Sequence, residues 1–111
     1  MAYLVRCLYR PGGAQERLPL RADHIRHMLD WLPRTVFGAA MLDSRGVDAV
    51  GMVVALNVSS TAEASTFINA EPYARAGLFA SVEITPLVQM TPPYTPEFLL
   101  SELRQSEPTE T

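Results

Sequence analysis

The sequence contains only one cysteine, Cys7, so the chain cannot form an intramolecular disulfide. A single thiol fits a reducing compartment, and we expect a cytoplasmic protein. No apolar run approaches the ~20 residues needed to span a bilayer, and residues 1–6 lack the basic and apolar segments of a secretory signal. The formal net charge is −3, which argues against general nucleic-acid binding because that function needs a basic surface.

Signatures of metal and cofactor binding are also missing. The only two histidines, His24 and His27, are three residues apart, whereas a catalytic zinc site usually has three protein ligands. The chain has no Gly-rich phosphate loop, no dinucleotide-binding fingerprint and no Gly-x-Ser-x-Gly nucleophile elbow. The sequence therefore predicts neither a metal site nor a redox cofactor.

The chain does have the composition of one folded domain. Its 111 residues leave room for a single ordinary core. Apolar residues make up 48% of the chain and charged residues 19%, whereas disordered chains are poorer in apolar residues. We expect one domain over residues 1–89, followed by a C-terminal extension over residues 90–111.

Hydrophobic periodicity divides the domain into six elements. Alternating apolar residues predict a strand over residues 2–9. Apolar residues at helical spacing predict a helix over residues 22–32, with a start as early as residue 16 as an alternative. The remaining elements follow in order: strands over 35–42 and 50–58, a helix that runs to residue 70 from a capping box of Ser60 and Glu63, and a last strand over 79–88.

The C-terminal extension differs in character from the domain. Residues 90–96 are Pro-rich and predict an extended linker, and residues 97–104 carry apolar side chains at helical spacing. The extension either places a short helix over a partner subunit or over the mouth of a pocket, or packs as a partly ordered tail on its own domain. The polar residues from 105 onward are expected to be disordered.

The predicted order, β-α-β-β-α-β, is the ferredoxin-like arrangement of an α+β fold with an antiparallel sheet. Two helices cover only one face of a four-stranded sheet, and a bare apolar sheet face of this size would be a liability. We therefore expect the other face to pack on the same face of a second copy. The predicted assembly is a homodimer joined through sheet faces, a dimeric α+β barrel.

The first helix carries the residues best suited to chemistry. At about 100° per residue, its apolar stripe is centred near Leu32 and Ile25, which places His24 at the border between core and solvent and His27 outward. A border imidazole with the ordinary histidine pKa of ~6.5 suits proton transfer near neutrality. His24 is therefore either an acid/base residue or a structural histidine hydrogen-bonded at the edge of the core.

Two arginines accompany this histidine. Arg17 and Arg21 are four residues apart and His24 lies three further on, so all three share one flank if the helix begins early. Such a flank would hold a carboxylate, phenolate or enolate oxygen through charge-assisted hydrogen bonds. The alternative is a solvated face on which the arginines pair with Glu16 or Asp23.

Glu71 precedes Pro72, which pushes its backbone out of the helical region at the end of the second helix. Its carboxylate is either solvated or aimed at an imidazole, where it would fix the tautomer. Gly38, in the second strand, either lets a ligand approach closely or marks an ordinary bulge. The other candidates for contact with a substrate lie on the first and last strands: Tyr3, Cys7, Tyr9 and Ser81.

Several short segments resemble the YciI-like (YCII-related) family. Glu16-Arg17-Leu18 with Arg21 and His24-Ile25 is similar to the family's Glu-x-Arg-Leu…Arg-Pro-x-His-Leu region, although Ala22 stands where the family has Pro. Phe37-Gly38-Ala39 is similar to its Ala-Gly-Pro segment. Glu71-Pro72-Tyr73 with Ala76-Gly77-Leu78-Phe79 resembles its Asp-Pro-Tyr…Ala-Gly-Leu-Phe, and residues 82–86 resemble its closing strand. The match covers about residues 3–89.

The resemblance implies a ferredoxin-like dimer related to muconolactone isomerases. It also implies a site in which His24 pairs with the family's aspartate, which Glu71 replaces here with one more methylene. The activities it implies are eliminations, dehydrochlorinations and isomerisations of small cyclic or aromatic-derived metabolites.

We therefore expect a lyase or isomerase in which His24 is the base or acid, Glu71 orients it, and Arg21, with Arg17, stabilises an oxyanion. Two alternatives stay open. One is a non-catalytic small-molecule-binding or accessory protein on the same scaffold. The other is a cofactor-free monooxygenase or cyclase.

Overall fold

The computed structural model describes residues 2–90 and 95–107. Within these ranges the chain forms four strands: β1 (Ala2–Tyr9), β2 (Thr35–Leu42), β3 (Ala49–Leu56) and β4 (Phe79–Leu87). Its helices are α1 (Gly13–Glu16), α2 (Arg21–Trp31), α3 (Thr61–Ala70), α4 (Pro72–Arg75) and α5 (Pro96–Ser106), with 3-10 turns at Leu18–Leu20 and Leu32–Arg34. None of these described helices is long and apolar enough to cross a bilayer.

The strands form one antiparallel sheet in the order β2-β3-β1-β4. With α2 and α3 as the two main helices, this is the predicted ferredoxin-like α+β fold. The third strand ends at Leu56 rather than at Val58. Val58 is nevertheless buried, which explains why the apolar pattern continues past the end of the strand.

The core lies between one face of the sheet and the helices. The alternation predicted for β1 is confirmed, because Val5 and Cys7 are fully buried while Leu4, Arg6 and Leu8 face the other side and are half-buried. The sheet contributes Tyr3, Val5, Cys7, Met52, Val54 and Leu56 to this core, and the helices contribute Trp31, Ala64, Phe67, Ile68 and Tyr73.

The rotation of α2 about its axis differs from the prediction. Ile25 and Leu32, expected to face the core, are 40% and 60% exposed. Trp31 is the buried residue of this helix, and its ring packs edge-on against Phe67 at a centroid distance of 5.3 Å. A large aromatic ring gains more from burial than a single aliphatic side chain, so Trp31 sets the rotation.

The same rotation corrects the expectation for His27. This residue was predicted to point outward, but it is half-buried, its Nε2 donates to the carbonyl of Phe67 at 2.9 Å, and its ring contacts the Phe67 ring at 4.9 Å. His24 lies at the border of the core as expected, with 19% of its side chain exposed.

The segment before α2 is not the early start of one continuous helix. It consists of α1 and the 3-10 turn at Leu18–Leu20. A helix continued from Gly13 would contain Pro19 in its interior, where proline removes a hydrogen-bond donor and clashes with the preceding turn. Arg17 therefore lies between two short turns.

The C-terminal helix is present and longer than predicted. Gln105 and Ser106, expected to be disordered, belong to α5, which begins where the Thr95 hydroxyl accepts the N–H of Phe98 at 3.1 Å. Most of the predicted Pro-rich linker, residues 91–94, and the tail residues 108–111 lie outside the described residues.

Candidate active site

A cavity of about 390 Å³ lies between α2 and the β2–β3 half of the sheet. This volume is typical of sites for small molecules. The β2 part of the cavity's sheet wall is made of small residues, Gly38, Ala39 and Ala40, and the β3 part consists of Ala49, Gly51, Met52 and Val54. A Cβ at Gly38 would make only ordinary contacts, 3.9 Å from Met28 Cε and 4.0 Å from Val54 Cγ2, so the space above this residue is open.

His24 and Glu71 meet beside this cavity. Glu71 Oε1 accepts from His24 Nδ1 at 2.6 Å, and the Glu71 side chain is completely buried. Because Nδ1 carries the donated proton, Nε2 is the free nitrogen of the ring. It makes no hydrogen bond to any residue in the described parts of the chain, and His24 lines the cavity.

The turn that holds Glu71 explains its position. Glu71 ends α3 and is the N-cap of α4, with Pro72 at the first helical position. Glu71 Oε2 accepts the N–H of Ala74 at 3.1 Å, so both carboxylate oxygens are hydrogen-bonded. The extra methylene relative to the family's aspartate is therefore accommodated without loss of the contact to His24.

The imidazole also contacts Tyr73. The two rings are stacked, with centroids 4.3 Å apart and an angle of 10° between their planes. Tyr73 is buried, and its ring packs edge-on against Tyr9 and Phe79. Sequence reasoning missed this contact, although Tyr73 stands two residues after Glu71 in a turn that Pro72 makes rigid.

Both arginines line the cavity with His24. The ion pairs considered as an alternative do not form, since Glu16 pairs with Arg10 and Asp23 pairs with Arg26 at 2.6 Å. Arg17 donates to the carbonyl of Ala14 and lies over the ring of Tyr9. The Arg21 side chain makes no hydrogen bond or ion pair with another described residue, so its guanidinium is available to an anionic group.

Two phenols complete the polar side of the cavity. Burial raises the pKa of Tyr9, and the Arg17 guanidinium only partly opposes this shift. Burial likewise raises the pKa of Tyr73 against the charges of Arg17 and Arg21. Both phenols are therefore protonated at neutral pH, and the Tyr9 hydroxyl can donate a hydrogen bond to a ligand oxygen.

Three of the residues predicted to contact a substrate lie elsewhere. Tyr3 and Cys7 are buried in the core and do not line the cavity. Burial, and then the charge of Glu71, raise the pKa of the Cys7 thiol to about 12. Ser81 pairs with Leu8 across the sheet, so it lies on the face opposite the helices. Strand alternation separates Ser81 from the cavity, whereas Tyr3 and Cys7 face the helices but lie in the packed core beside it.

No group of three or more His, Cys, Asp and Glu side chains converges within the ranges that the structure describes. The cavity instead combines one imidazole–carboxylate pair with two guanidinium groups and two phenols. This arrangement can move a proton and hold a negatively charged oxygen next to it.

Comparison with known proteins gives a family and a fold. The model of the YCII-related domain matches residues 1–88. No curated protein matches the chain. Among solved structures, the chain is similar to 5-chloro-2-hydroxyhydroquinone dehydrochlorinase (TftG) from Burkholderia phenoliruptrix AC1100, in complex with 2,5-dihydroxybenzoquinone, with 22% identity and a TM-score of 0.72 over 80% of this chain and 95% of that chain.

A second solved structure is more distant. It is a "Putative antibiotic biosynthesis monooxygenase" from Bacteriodes thetaiotaomicron VPI-5482, with 14% identity and a TM-score of 0.50 over 82% of this chain and 90% of that chain. At these identities the likenesses establish the fold alone, the ferredoxin-like α+β arrangement.

Proposed function

The chain belongs to the YCII-related domain family, and we propose that it is a small cofactor-independent enzyme, a lyase or isomerase, that uses a His24–Glu71 dyad on a small cyclic substrate. The observation that carries this proposal is the 2.6 Å hydrogen bond between His24 Nδ1 and a buried carboxylate at the wall of a cavity. A carboxylate in this position fixes the tautomer of the imidazole and raises the basicity of the opposite nitrogen.

His24 acts through Nε2, since its Nδ1–H group donates a hydrogen bond to Glu71. As a base, Nε2 takes a proton from a C–H bond next to a carbonyl or from a ring hydroxyl, and the bonding electron pair remains on the substrate as an enolate or phenolate. Arg21, with Arg17, holds the oxygen on which this charge develops, and one such contact is often worth about 3 kcal/mol. Tyr9 supplies a neutral donor nearby.

The resulting anion has two outcomes. If a ring carbon carries a leaving group such as chloride, the electron pair expels it as an anion and the reaction is an elimination. If there is no leaving group, the His24 imidazolium returns its proton to a different carbon and the reaction is an isomerisation. The substituents of the substrate decide between these outcomes, which is why one site fits both a lyase and an isomerase.

The small residues on the sheet side favour a flat substrate. Gly38 and Ala40 of β2 leave room on the sheet side of the cavity, where a planar ring can lie. TftG, which has a similar fold, was solved in complex with 2,5-dihydroxybenzoquinone. This dihydroxyquinone is therefore a suitable first probe for the cavity.

Turnover of a panel of chlorinated and hydroxylated quinols tests the proposal, with chloride release and product absorbance as readouts. His24→Gln removes the base while its amide can still donate to Glu71, and we expect kcat to fall by about 10²- to 10⁴-fold. His27→Gln is the matched control because His27 lies on the same helix but is bonded to the Phe67 carbonyl. Unchanged turnover in His24→Gln would exclude the acid/base role.

The same assays separate the alternatives. A non-catalytic binding or accessory protein would be stabilised against heat by the dihydroxyquinone probe without forming product. A cofactor-free monooxygenase or cyclase of the oxygen-using type would consume dioxygen during turnover. The arrangement of His24, Glu71 and Arg21 favours proton transfer over both.

We also propose that two copies pack through the sheet face that lies opposite the helices. This open face is lined by Leu4, Leu8, Phe37 and Val53, and Phe37 is 49% exposed in the single chain. A second copy would cover these apolar side chains. The unpaired, buried thiol of Cys7 is in keeping with a cytoplasmic protein.

A further inference from the structure

The tripeptide Glu71-Pro72-Tyr73 contacts the His24 imidazole on two sides. Glu71 bonds its edge at Nδ1, and Tyr73, two residues further on, covers its face with the two ring planes only 10° apart. Pro72 between them is the first residue of α4 and has a fixed φ. The two contacts are therefore fixed relative to each other by the backbone of a single turn.

The two contacts restrict different motions of the ring. A single hydrogen bond restrains the distance between Nδ1 and the carboxylate oxygen, but combined changes of the His24 side-chain torsions χ1 and χ2 can still tilt the ring. A stacked aromatic face fixes the plane of the ring and removes this tilt. Together they determine the direction of Nε2, the atom that faces a substrate under the proposed function.

Tyr73 is itself held firmly enough to serve as such a support. It is only 3% exposed, and its ring packs against Tyr9 at 6.4 Å and Phe79 at 6.5 Å, both in edge-on geometry. Its carbonyl accepts the N–H of Leu78 at 3.1 Å, which ties the turn to the segment that leads into β4. A ring packed on several sides has little freedom to follow the imidazole.

We propose that Tyr73 is a positioning residue for His24, and that its ring face, rather than its hydroxyl, sets the plane of the imidazole and the direction of Nε2. The inference rests on the proposed function of His24 as the acid/base group. The role is separable from that of Glu71 because a ring face and a carboxylate restrict different rotations.

Two substitutions separate the ring from the hydroxyl. Tyr73→Phe keeps the ring face and is expected to keep kcat. Tyr73→Leu keeps an apolar side chain but removes the face, and kcat is expected to fall by about 10- to 100-fold with little change in KM, since small misplacements of a catalytic group have effects of this size. Phe67→Leu is the control, because Phe67 is a buried aromatic residue whose ring contacts His27 rather than His24 or Tyr73.

Proton NMR supplies a readout that needs no substrate. In the wild-type protein and in Tyr73→Phe, the carbon-bound ring protons of His24 should be shifted upfield by the stacked ring, and the Nδ1 proton should give a protected low-field signal. In Tyr73→Leu the upfield shift should vanish and the low-field signal should broaden. Ordinary ring-proton shifts in the wild-type protein would overturn the proposal even if no variant folded.

The outcomes distinguish this inference from the proposed function. If His24→Gln loses turnover but folded Tyr73→Leu keeps full kcat, Tyr73 does not position the base. If His24→Gln keeps turnover while the NMR signals respond to Tyr73→Leu and not to Tyr73→Phe, the ring still fixes the imidazole but the acid/base function is wrong.

Discussion

At the scale of single residues, the carboxylate of Glu71 performs two tasks at once. One oxygen accepts from His24 and the other accepts the N–H of Ala74, which caps α4. A fully buried carboxylate is costly unless it is hydrogen-bonded on both oxygens, and here it is. The orientation of the His24 imidazole and the local fold therefore depend on the same side chain.

Cys7 provides a test at this scale. Because burial and the nearby charge of Glu71 raise its pKa to about 12, the thiol is protonated at pH 8 in the folded protein. Since alkylation requires the thiolate, we expect iodoacetamide to label Cys7 only after unfolding in guanidinium. Mass spectrometry of labelled protein measures this directly, with the unfolded sample as the control. Rapid labelling of the native protein at pH 8 would contradict the buried position of this residue.

At the scale of elements, the hairpin of β2 and β3 supplies two glycines with different roles. Gly38 faces the cavity, where an added Cβ would make only ordinary contacts. Gly51 is pressed against β1, and a Cβ there would lie 2.1 Å from the carbonyl oxygen of Cys7. One glycine therefore provides space for a ligand, and the other permits close approach of two backbones.

Substitution of these glycines should separate binding from folding. Gly38→Val fills the cavity, so it should weaken binding of a ligand by about tenfold or more while the melting temperature is kept. Gly51→Ala should lower the free energy of unfolding by about 1–3 kcal/mol, since overpacking forces backbone shifts. Calorimetric titration and thermal melts measure the two effects. A Gly38→Val protein that binds as tightly as the wild type would place the ligand elsewhere.

The elements also show which features the sequence could predict. The bounds of β1 and β2 follow from local patterns, alternation along each strand and turn-forming residues after it, and they are confirmed. The rotation of α2 depends on the contact of Trp31 with Phe67, which is 36 residues away in the chain and invisible to periodicity. That is why the predicted orientations of Ile25 and His27 were wrong.

The candidate site was also only partly predictable, because its residues stand in short local segments but their distances depend on tertiary packing. His24, Arg21 and Glu71 stand in short segments that the family resemblance singled out, and the structure places all three together at the cavity or beside it. The distances among them result from tertiary packing, as does the stacking of Tyr73 on the imidazole. Strand alternation alone could have removed Ser81 from the set, because it faces away from Val82, which pairs with the core residue Cys7.

At the scale of the whole molecule, the single chain leaves one apolar face of the sheet exposed, and a second copy would cover this face. The face of the sheet opposite the helices carries aliphatic and aromatic side chains, with only one ion pair near it among the described residues, Arg6 with Glu83 at 4.0 Å. Such a surface is stable in water when a second copy covers it. A sheet-to-sheet dimer would leave the cavity, which lies on the helix side, accessible.

Phe37→Glu tests this assembly. A carboxylate on the open face would have to be buried without a partner in the proposed dimer. We therefore expect the wild type to have twice the 12.3 kDa mass of one chain and the Phe37→Glu protein to have the mass of one chain. Leu29→Glu is the matched control, because Leu29 is 60% exposed on α2 and lies outside that face. Light scattering after size-exclusion chromatography gives the masses. A Phe37→Glu protein that remains dimeric would move the interface to another surface.

The central claim is that Nε2 of His24 faces a ligand inside the cavity, and a crystal structure with the dihydroxyquinone probe tests it most directly. The account predicts the ring of the probe between α2 and the small residues of β2, with one of its atoms about 2.6–3.2 Å from His24 Nε2 and an oxygen bonded to Arg21. A probe bound at another surface, or bound in the cavity with Nε2 turned away from it, would contradict the claim.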